Sequence, residues 1–184
     1  MQFGAIEFGG KLGGYKIANH STNQLPQDLA SAIDSLFNDE KILGAQYSPL
    51  WYIGSQIVNG TNHLILAKQT RLTKDFSTRI VAIVINISTS GQASIVEIID
   101  DSDLIEGSLP DMNLKSYFLN AIQGLIGVSY TPILYIGSQI VKGVNFYIIA
   151  ESKIVRNGSD PYPSIITINV FQNESTLIGI EPLI

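Results

Sequence analysis

The sequence predicts an α+β fold of two tandem modules, each with one helix packed across a four- to five-stranded antiparallel sheet. Three observations lead to this prediction. Residues 47–69 recur at residues 130–152, a constant 83 positions later, with identity at 13 of 23 positions. An apolar stripe with helical spacing precedes each copy of this repeat. Runs of β-branched and aromatic residues, separated by turn residues, follow it.

The repeat divides the chain into a first module at residues 1–103 and a second at residues 104–184. Its period of 83 residues exceeds the roughly 20–50 residues of a solenoid repeat and suits a small domain. The acidic segment 100–109 is the expected linker, and a Gly-rich trunk at residues 1–14 opens the first module. Hydrophobic residues make up 45% of the chain, which is enough to build two cores.

Each module is expected to begin with an amphipathic helix. The first starts at Pro26, a residue that suits the first helical turn, and the second starts at Pro110 and ends near Gly127. The apolar stripe of the first helix consists of Leu29, Ile33, Leu36 and Phe37. Because such a stripe must be buried, and a meander of strands offers one apolar face, we expect the helix to lie across the sheet.

Four strands joined in sequence are expected after each helix. In the first module they are predicted at residues 46–58, 61–69, 79–87 and 94–99, with a short leading strand near residues 15–18 at the sheet edge. In the second they are predicted at residues 131–141, 144–152, 164–171 and 176–180. Asn59-Gly60 between two β-rich runs is a strong hairpin signal.

Composition and motifs exclude several function classes. The net charge is −5 and there is no basic stripe, so nucleic acid is not an expected partner. No apolar run approaches the ~18 residues of a membrane-spanning helix, so no membrane partner is expected. Cysteine is absent, and His20 and His63 lack the spacing of a metal site. With no nucleophile elbow, paired catalytic carboxylates or cofactor fingerprint, we expect neither an enzyme nor a cofactor.

The N-terminal residues lack the charged and apolar regions of a signal peptide. Glycosylation sequons occur at Asn19, Asn59, Asn86, Asn157 and Asn173. Sugar on Asn59 would obstruct the repeated turn. These features argue against passage through a glycosylating secretory route, and leave a cytoplasmic location and export by another route as alternatives.

One motif, Gln-x-Val-x-Gly, stands at the same place in both copies. It reads Gln56-Ile57-Val58-Asn59-Gly60 in the first and Gln139-Ile140-Val141-Lys142-Gly143 in the second, and Gly13-Gly14 precedes Gln56 by 42 residues. A helix, a strand, this motif and an upstream glycine pair together resemble the cystatins, inhibitors of papain-like cysteine proteases. The lack of cysteine and the short turn at Ser90-Gly91-Gln92 resemble the stefin branch. The Pro-Trp pair of many cystatins is missing from both copies.

The resemblance implies a reversible, non-covalent inhibitor that occludes the active-site cleft of a papain-like cysteine protease. In the first module it implies protease contacts from Leu12, Gly13, Gly14, Gln56, Ile57, Val58, Asn59, Gly60 and Gly91. In the second it implies contacts from Gln139, Ile140, Val141, Lys142 and Gly143. The alternative is a non-inhibitory scaffold that binds proteins with the same fold. Exposed strand edges also make a domain-swapped homo-oligomer an expected form.

Overall fold

The computed structural model describes residues 16–17, 24–38, 44–74, 76–99, 114–156 and 159–183. These residues form two compact units, one before residue 100 and one after it. The predicted module boundary between residues 103 and 104 lies outside the described residues.

The first unit is an antiparallel meander with one helix. Its elements are β1 (Lys16–Ile17), α1 (Gln27–Phe37), β2 (Ala45–Val58), β3 (Gly60–Arg71), β4 (Thr78–Ile87) and β5 (Ala93–Ile99). The strands lie in the sheet in the order β1-β2-β3-β4-β5, and each pairs antiparallel with its neighbour. Strands that follow one another in the chain are therefore neighbours in space, and the shortest connections, β2–β3 and β4–β5, are hairpin turns.

The second unit repeats this arrangement without an edge strand equivalent to β1 among the described residues. Its elements are α2 (Leu114–Ile122), β6 (Val128–Val141), β7 (Gly143–Ile154), β8 (Tyr162–Phe171) and β9 (Glu174–Pro182). The sheet order is β6-β7-β8-β9, again fully antiparallel. The register shift between Tyr52 and Gly54 in β2 recurs between Tyr135 and Gly137 in β6. Even the local irregularities of the ladder are thus repeated.

Helix α1 buries its apolar stripe on the first sheet. Leu29 and Ile33 are 0% and 3% exposed and belong to one core cluster with β-strand residues that include Ile65 and Ile83. Full burial of such a side chain contributes about 1.5–3 kcal/mol. In the second unit, α2 buries Leu114 and Phe118 and contacts β6, β8 and β9. The two helices are therefore held by tertiary packing.

The inner strands are buried on both faces. Five consecutive residues of β3, from His63 to Ala67, are buried, and so are six consecutive residues of β4, from Ile80 to Ile85. Neighbouring side chains of a strand point to opposite faces, so both faces of these strands are withdrawn from water. Continuous apolar runs of this kind are typical of strands covered on both sides.

The predicted fold class, α+β with two tandem cystatin-like modules of one helix across a four- to five-stranded sheet, is wrong. The described residues are mostly β: nine strands form two separate antiparallel sheets, with only two helices of 11 and 9 residues. The apolar stripe on the helix predicted that one face of the sheet is covered, but the inner strands are buried on both faces. The strand predictions themselves are confirmed, and the leading strand predicted near residues 15–18 is found as β1.

Within the described residues, neither helix has the length and apolar character that crossing a membrane requires.

Truncating a buried side chain of α1 should test how the helix packs in the core of the first unit. Leu29→Ala is expected to lower the free energy of unfolding by about 2–5 kcal/mol, because it removes buried methyl groups and leaves a cavity. Ser35→Ala, on the exposed side of α1, is the matched control and should change it by less than about 0.5 kcal/mol. Urea unfolding monitored by circular dichroism measures both. Equal effects of the two variants would show that α1 does not pack as described.

Candidate binding surface

Each unit presents one long hairpin that ends in an apolar tip. The first tip comprises Ile57, Val58, Asn59 and Gly60, at the turn between β2 and β3. The second tip comprises Ile140, Val141, Lys142 and Gly143, at the turn between β6 and β7. Pairing extends to the very end of both hairpins, because Val58 stands opposite Gly60 and Val141 stands opposite Gly143. The tips are thus continuations of the sheets, with little free loop.

Glycine is required at the last position of both tips. Gly60 has φ of +96° and Gly143 has φ of +88°, in the left-handed region that residues with a Cβ rarely adopt. Space is also lacking, since a Cβ on Gly60 would collide with the carbonyl oxygen of Ile87 and lie 2.8 Å from the Cα of Ser88. A Cβ on Gly143 would collide with the carbonyl oxygen of Val170. Each tip is therefore seated against the adjacent strand end.

The apolar side chains of the tips point into water. Ile57 is 89% exposed and Ile140 is 87% exposed, while Val58 and Val141 are 44% and 43% exposed. Single exposed apolar residues are common on protein surfaces. Here, however, an Ile-Val pair is exposed at the same place in both sheets, on a backbone that is fixed by the hydrogen bonds between the two strands of the hairpin. The arrangement suits insertion into a concave partner, where burial of each branched side chain contributes about 1.5–3 kcal/mol.

A cross-strand amide pair supports each tip from below. Asn86 Nδ2 donates to Asn62 Oδ1 over 2.8 Å, and Asn169 Nδ2 donates to Asn145 Oδ1 over the same 2.8 Å. Asn169 also donates to the backbone carbonyl of Lys142 over 3.3 Å, which ties the second tip to β8. Neither Asn86 nor Asn169 was predicted from the sequence to support a tip. The signal was present, because these two residues are separated by the same 83 positions as the repeat.

The second tip carries contacts of its own. Tyr147 Oη donates to Gln139 Oε1 over 3.0 Å, which orients the first residue of the motif. Lys142 Nζ lies 5.4 Å from the centre of the Phe171 ring, within cation–π range. In the first unit the positions of Tyr147 and Lys142 are taken by Leu64 and Asn59. The two tips therefore share their apolar pair and differ in the groups beside it.

The turn between β4 and β5 lies at the same end of the first sheet as the first tip. It is closed by the Ser88 N–H, which donates to the Gln92 carbonyl over 2.9 Å, and Gly91 adopts φ of +82° there. Strand β1 is antiparallel to β2, with Lys16 opposite Ser55, so the N-terminal end of β1 faces this end too. The structure thus brings Gly91 to the same end as Gln56, Ile57, Val58, Asn59 and Gly60. The trunk residues Leu12, Gly13 and Gly14 lie outside the described residues.

A polar cluster in the first unit joins two buried strand residues, Tyr52 and His63, to Asp28 of α1, whose side chain is 54% exposed. Tyr52 Oη and His63 Nδ1 are 3.2 Å apart, and His63 Nε2 lies 3.6 Å from Asp28 Oδ2 on α1, too far for a hydrogen bond. Among the described residues, His63 Nε2 has no hydrogen-bond partner. In the second unit the positions of Tyr52 and His63 are occupied by Tyr135 and Phe146, whose rings pack with centroids 6.1 Å apart. The cluster is therefore a feature of the first unit alone.

Burial controls the ionisation of this cluster. Desolvation lowers the pKa of His63 below 6.5, and the Asp28 carboxylate opposes part of that effect. Desolvation also raises the pKa of Tyr52. Both groups are thus neutral near pH 7. Neither is exposed to a substrate, since Tyr52 and His63 are 8% and 3% exposed.

Metal binding finds no support in the residues that the structure describes, where no group of three or more His, Cys, Asp or Glu side chains is placed to hold an ion. No protein-family model and no curated protein matches the chain.

The need for glycine at the first tip can be tested by comparing a substitution of Gly60 with one of Gly91, which has no neighbouring atoms in the space of a Cβ. Gly91→Ala is expected to cost about 1–2 kcal/mol of unfolding free energy, because its left-handed φ is retained but nothing lies within 4 Å of the new Cβ. Gly60→Ala carries the same penalty plus about 1–3 kcal/mol for displacing the backbone at Ile87. Chemical denaturation of both variants gives the comparison. Equal losses would contradict the close seating of the first tip on β4.

Acid should destabilise the first unit through His63. Its folded-state pKa is lowered, so the unfolded chain binds more protons between that pKa and 6.5. The free energy of unfolding is therefore expected to fall as the pH drops through this window and to level off above 6.5. His63→Phe, which copies Phe146 of the second unit, should remove that part of the pH dependence. Thermal unfolding from pH 4 to 8 measures it, and identical profiles for both proteins would refute the assignment.

Proposed function

We propose that the chain is a non-enzymatic, protein-binding protein that reversibly inhibits papain-like cysteine proteases by inserting the first tip into the active-site cleft. The observation that carries the proposal is the 89% exposure of Ile57 on a tip whose backbone is held in place. The partner class comes from the Gln-x-Val-x-Gly resemblance.

Preorganisation supports tight binding by so small a surface. The hairpin is paired up to Val58 and Gly60, and the Asn62–Asn86 amide pair holds its base. Such a tip loses little conformational entropy on association, which otherwise offsets much of the interaction energy. Burial of Ile57 and Val58 would contribute about 1.5–3 kcal/mol each before those costs.

The proposed mechanism is occlusion, which requires no covalent step. The first tip fills part of the cleft, and the β4–β5 turn with Gly91 lies at the same end of the sheet for a second contact. The contribution of Leu12, Gly13 and Gly14 rests on the resemblance alone, since these residues lie outside the described part of the chain. The second tip, with Ile140 and Val141, is the equivalent candidate in the second unit.

A non-inhibitory scaffold is the second candidate function. The finding that favours it is the fold itself, because two sheets with buried inner strands differ from a helix-across-sheet inhibitor module. The different groups beside the tips, Asn59 in the first and Lys142 with Phe171 in the second, also suit two different partners. In this version the tips bind proteins that are not proteases.

Introducing a negative charge at one tip at a time should show which tip inhibits. Ile57→Asp is expected to weaken inhibition of papain about 10- to 100-fold, because a carboxylate cannot be buried where the isoleucine was. Ile140→Asp measures the contribution of the second tip in the same way. Val96→Asp is the control, since Val96 is an exposed apolar residue on β5, outside both tips. Titration of papain with each variant gives the inhibition constant and the number of enzymes bound per chain.

Two outcomes would decide against inhibition. One is the absence of any effect on papain and several related proteases at micromolar concentration. The other is inhibition that survives both tip substitutions unchanged. A non-protease partner whose binding is lost with Ile57→Asp, together with no inhibition, would establish the scaffold function instead.

A further inference from the structure

One face of the second sheet contains a cavity of about 430 Å³. Small-molecule sites in proteins have volumes of roughly 300–1,000 Å³, so this cavity is large enough for a compact ligand. Its lining comes from β7, β8 and β9 and includes Tyr147, Ile165, Thr167, Ile178, Gly179 and Glu181. We call it the Gly179 cavity.

The strand register explains why these residues meet on one face of the sheet. Thr167 stands opposite Tyr147 on one side and opposite Gly179 on the other, which makes a row across β7, β8 and β9. In the adjacent row of the same face, Ile165 stands opposite Glu181. Directly opposite residues of antiparallel strands have neighbouring side chains on one face. The cavity is therefore a property of the ladder and lies on rigid secondary structure.

The gap in the first of these rows exists because position 179 is glycine. In the first sheet the equivalent position is Glu97, because Glu97 stands opposite Val84 as Gly179 stands opposite Thr167. Val84 and Thr167 are separated by the repeat offset of 83, and a register shift follows each of them. A Cβ on Gly179 would meet no atom within 4 Å. A side chain is thus missing from the row, and the space that it would take is open.

The backbone does not require glycine at this position. Gly60 and Gly143 have left-handed φ, and a Cβ on either would collide with the adjacent strand. Gly179 has a φ outside that region, so a residue with a side chain could stand there without backbone strain. What glycine contributes at position 179 is open space.

The Gly179 cavity combines apolar walls with a carboxylate. Ile165 and Tyr147 are buried, and the exposed Ile178 adds further apolar surface. The Tyr147 hydroxyl donates to Gln139, so it is already engaged. Glu181 is exposed beside these apolar groups. A ligand with an apolar body and a cationic group matches this combination, because apolar burial supplies affinity and a charge-assisted hydrogen bond to the carboxylate fixes the orientation.

We propose that the Gly179 cavity binds a small primary amine with an aromatic body. The ring occupies the space beside Gly179 and packs against Ile165, and the ammonium group donates to the Glu181 carboxylate. The first unit lacks both features, since Glu97 and Ile99 occupy the two equivalent positions. This site involves neither tip and does not depend on protease inhibition.

Nuclear magnetic resonance titration of the full chain tests binding directly. Phenylethylamine is the probe, and phenylpropionate is its match in size with the opposite charge. With nitrogen-15-labelled protein, the amine is expected to shift the amide signals of Thr167, Gly179 and Glu181 saturably. The dissociation constant should be on the order of 1 mM for so small a ligand. Phenylpropionate should bind at least about 5-fold more weakly, because its carboxylate would lie beside that of Glu181.

Two substitutions locate the bound amine. Gly179→Leu fills the gap and should weaken amine binding at least about 10-fold, while the chain stays folded because no backbone strain is introduced. Glu181→Gln keeps the size of the side chain and removes its charge, so it should abolish the preference for the amine over phenylpropionate. Glu174→Gln, at the other end of β9, is the matched control and should leave that preference unchanged.

Three results would overturn the proposal. The first is the absence of saturable shifts with phenylethylamine at concentrations up to about 10 mM. The second is unchanged amine binding by folded Gly179→Leu, which would place the ligand elsewhere. The third is equal binding of phenylethylamine and phenylpropionate, which would mean that Glu181 does not select the ligand. If Gly179→Leu does not fold, the comparison of Glu181→Gln with Glu174→Gln still decides whether the amine is held at this cavity.

Discussion

Both sheets depend on the left-handed glycine that closes each long hairpin. Gly60 and Gly143 occupy a backbone conformation and a space that exclude a Cβ, so the turn cannot move along the chain. The turn fixes the register of the two longest strands, and a slip of one residue would transfer every side chain to the opposite face. The buried positions of Ile65 and Ile148 therefore follow from a glycine at the far end of the hairpin.

The two units have the same strand order but bury different side chains at equivalent positions. At equivalent positions, the first unit buries Tyr52 with His63, and the second buries Tyr135 with Phe146. The Phe146 ring has no polar atom, whereas the His63 imidazole that takes its place has a buried Nε2 without a hydrogen-bond partner among the described residues. The Tyr52–His63 pair thus makes the stability of the first unit depend on pH, while the strand register of the hairpin is the same in both units. The backbone register tolerates this exchange because both pairs have similar size and shape.

The strands, the two tips and the edge strand β1 were predicted from the sequence, because turn glycines and runs of β-branched residues determine backbone conformation within a few residues. The fold class was predicted incorrectly. The apolar stripe of an amphipathic helix indicates that the helix covers one face of a sheet, but it does not indicate whether the opposite face is also buried. The Asn62–Asn86 pair joins residues 24 apart in sequence, so only the register reveals it. The exposure of Ile57 was expected from the family resemblance alone, because an isoleucine in a β-rich run is usually buried. Leu12, Gly13 and Gly14 lie outside the described residues.

Tandem duplication explains why two units with the same strand order do not have identical surfaces. Copying a segment preserves everything encoded within it, including the apolar tip, its glycine and its supporting asparagines. It does not preserve a contact made by a residue at the junction, because that position then belongs to both copies. Ile99 completes β5 of the first sheet and so cannot serve as an edge strand for the second. The two tips are thus consequences of one event, and the groups beside each tip can change without altering its apolar pair.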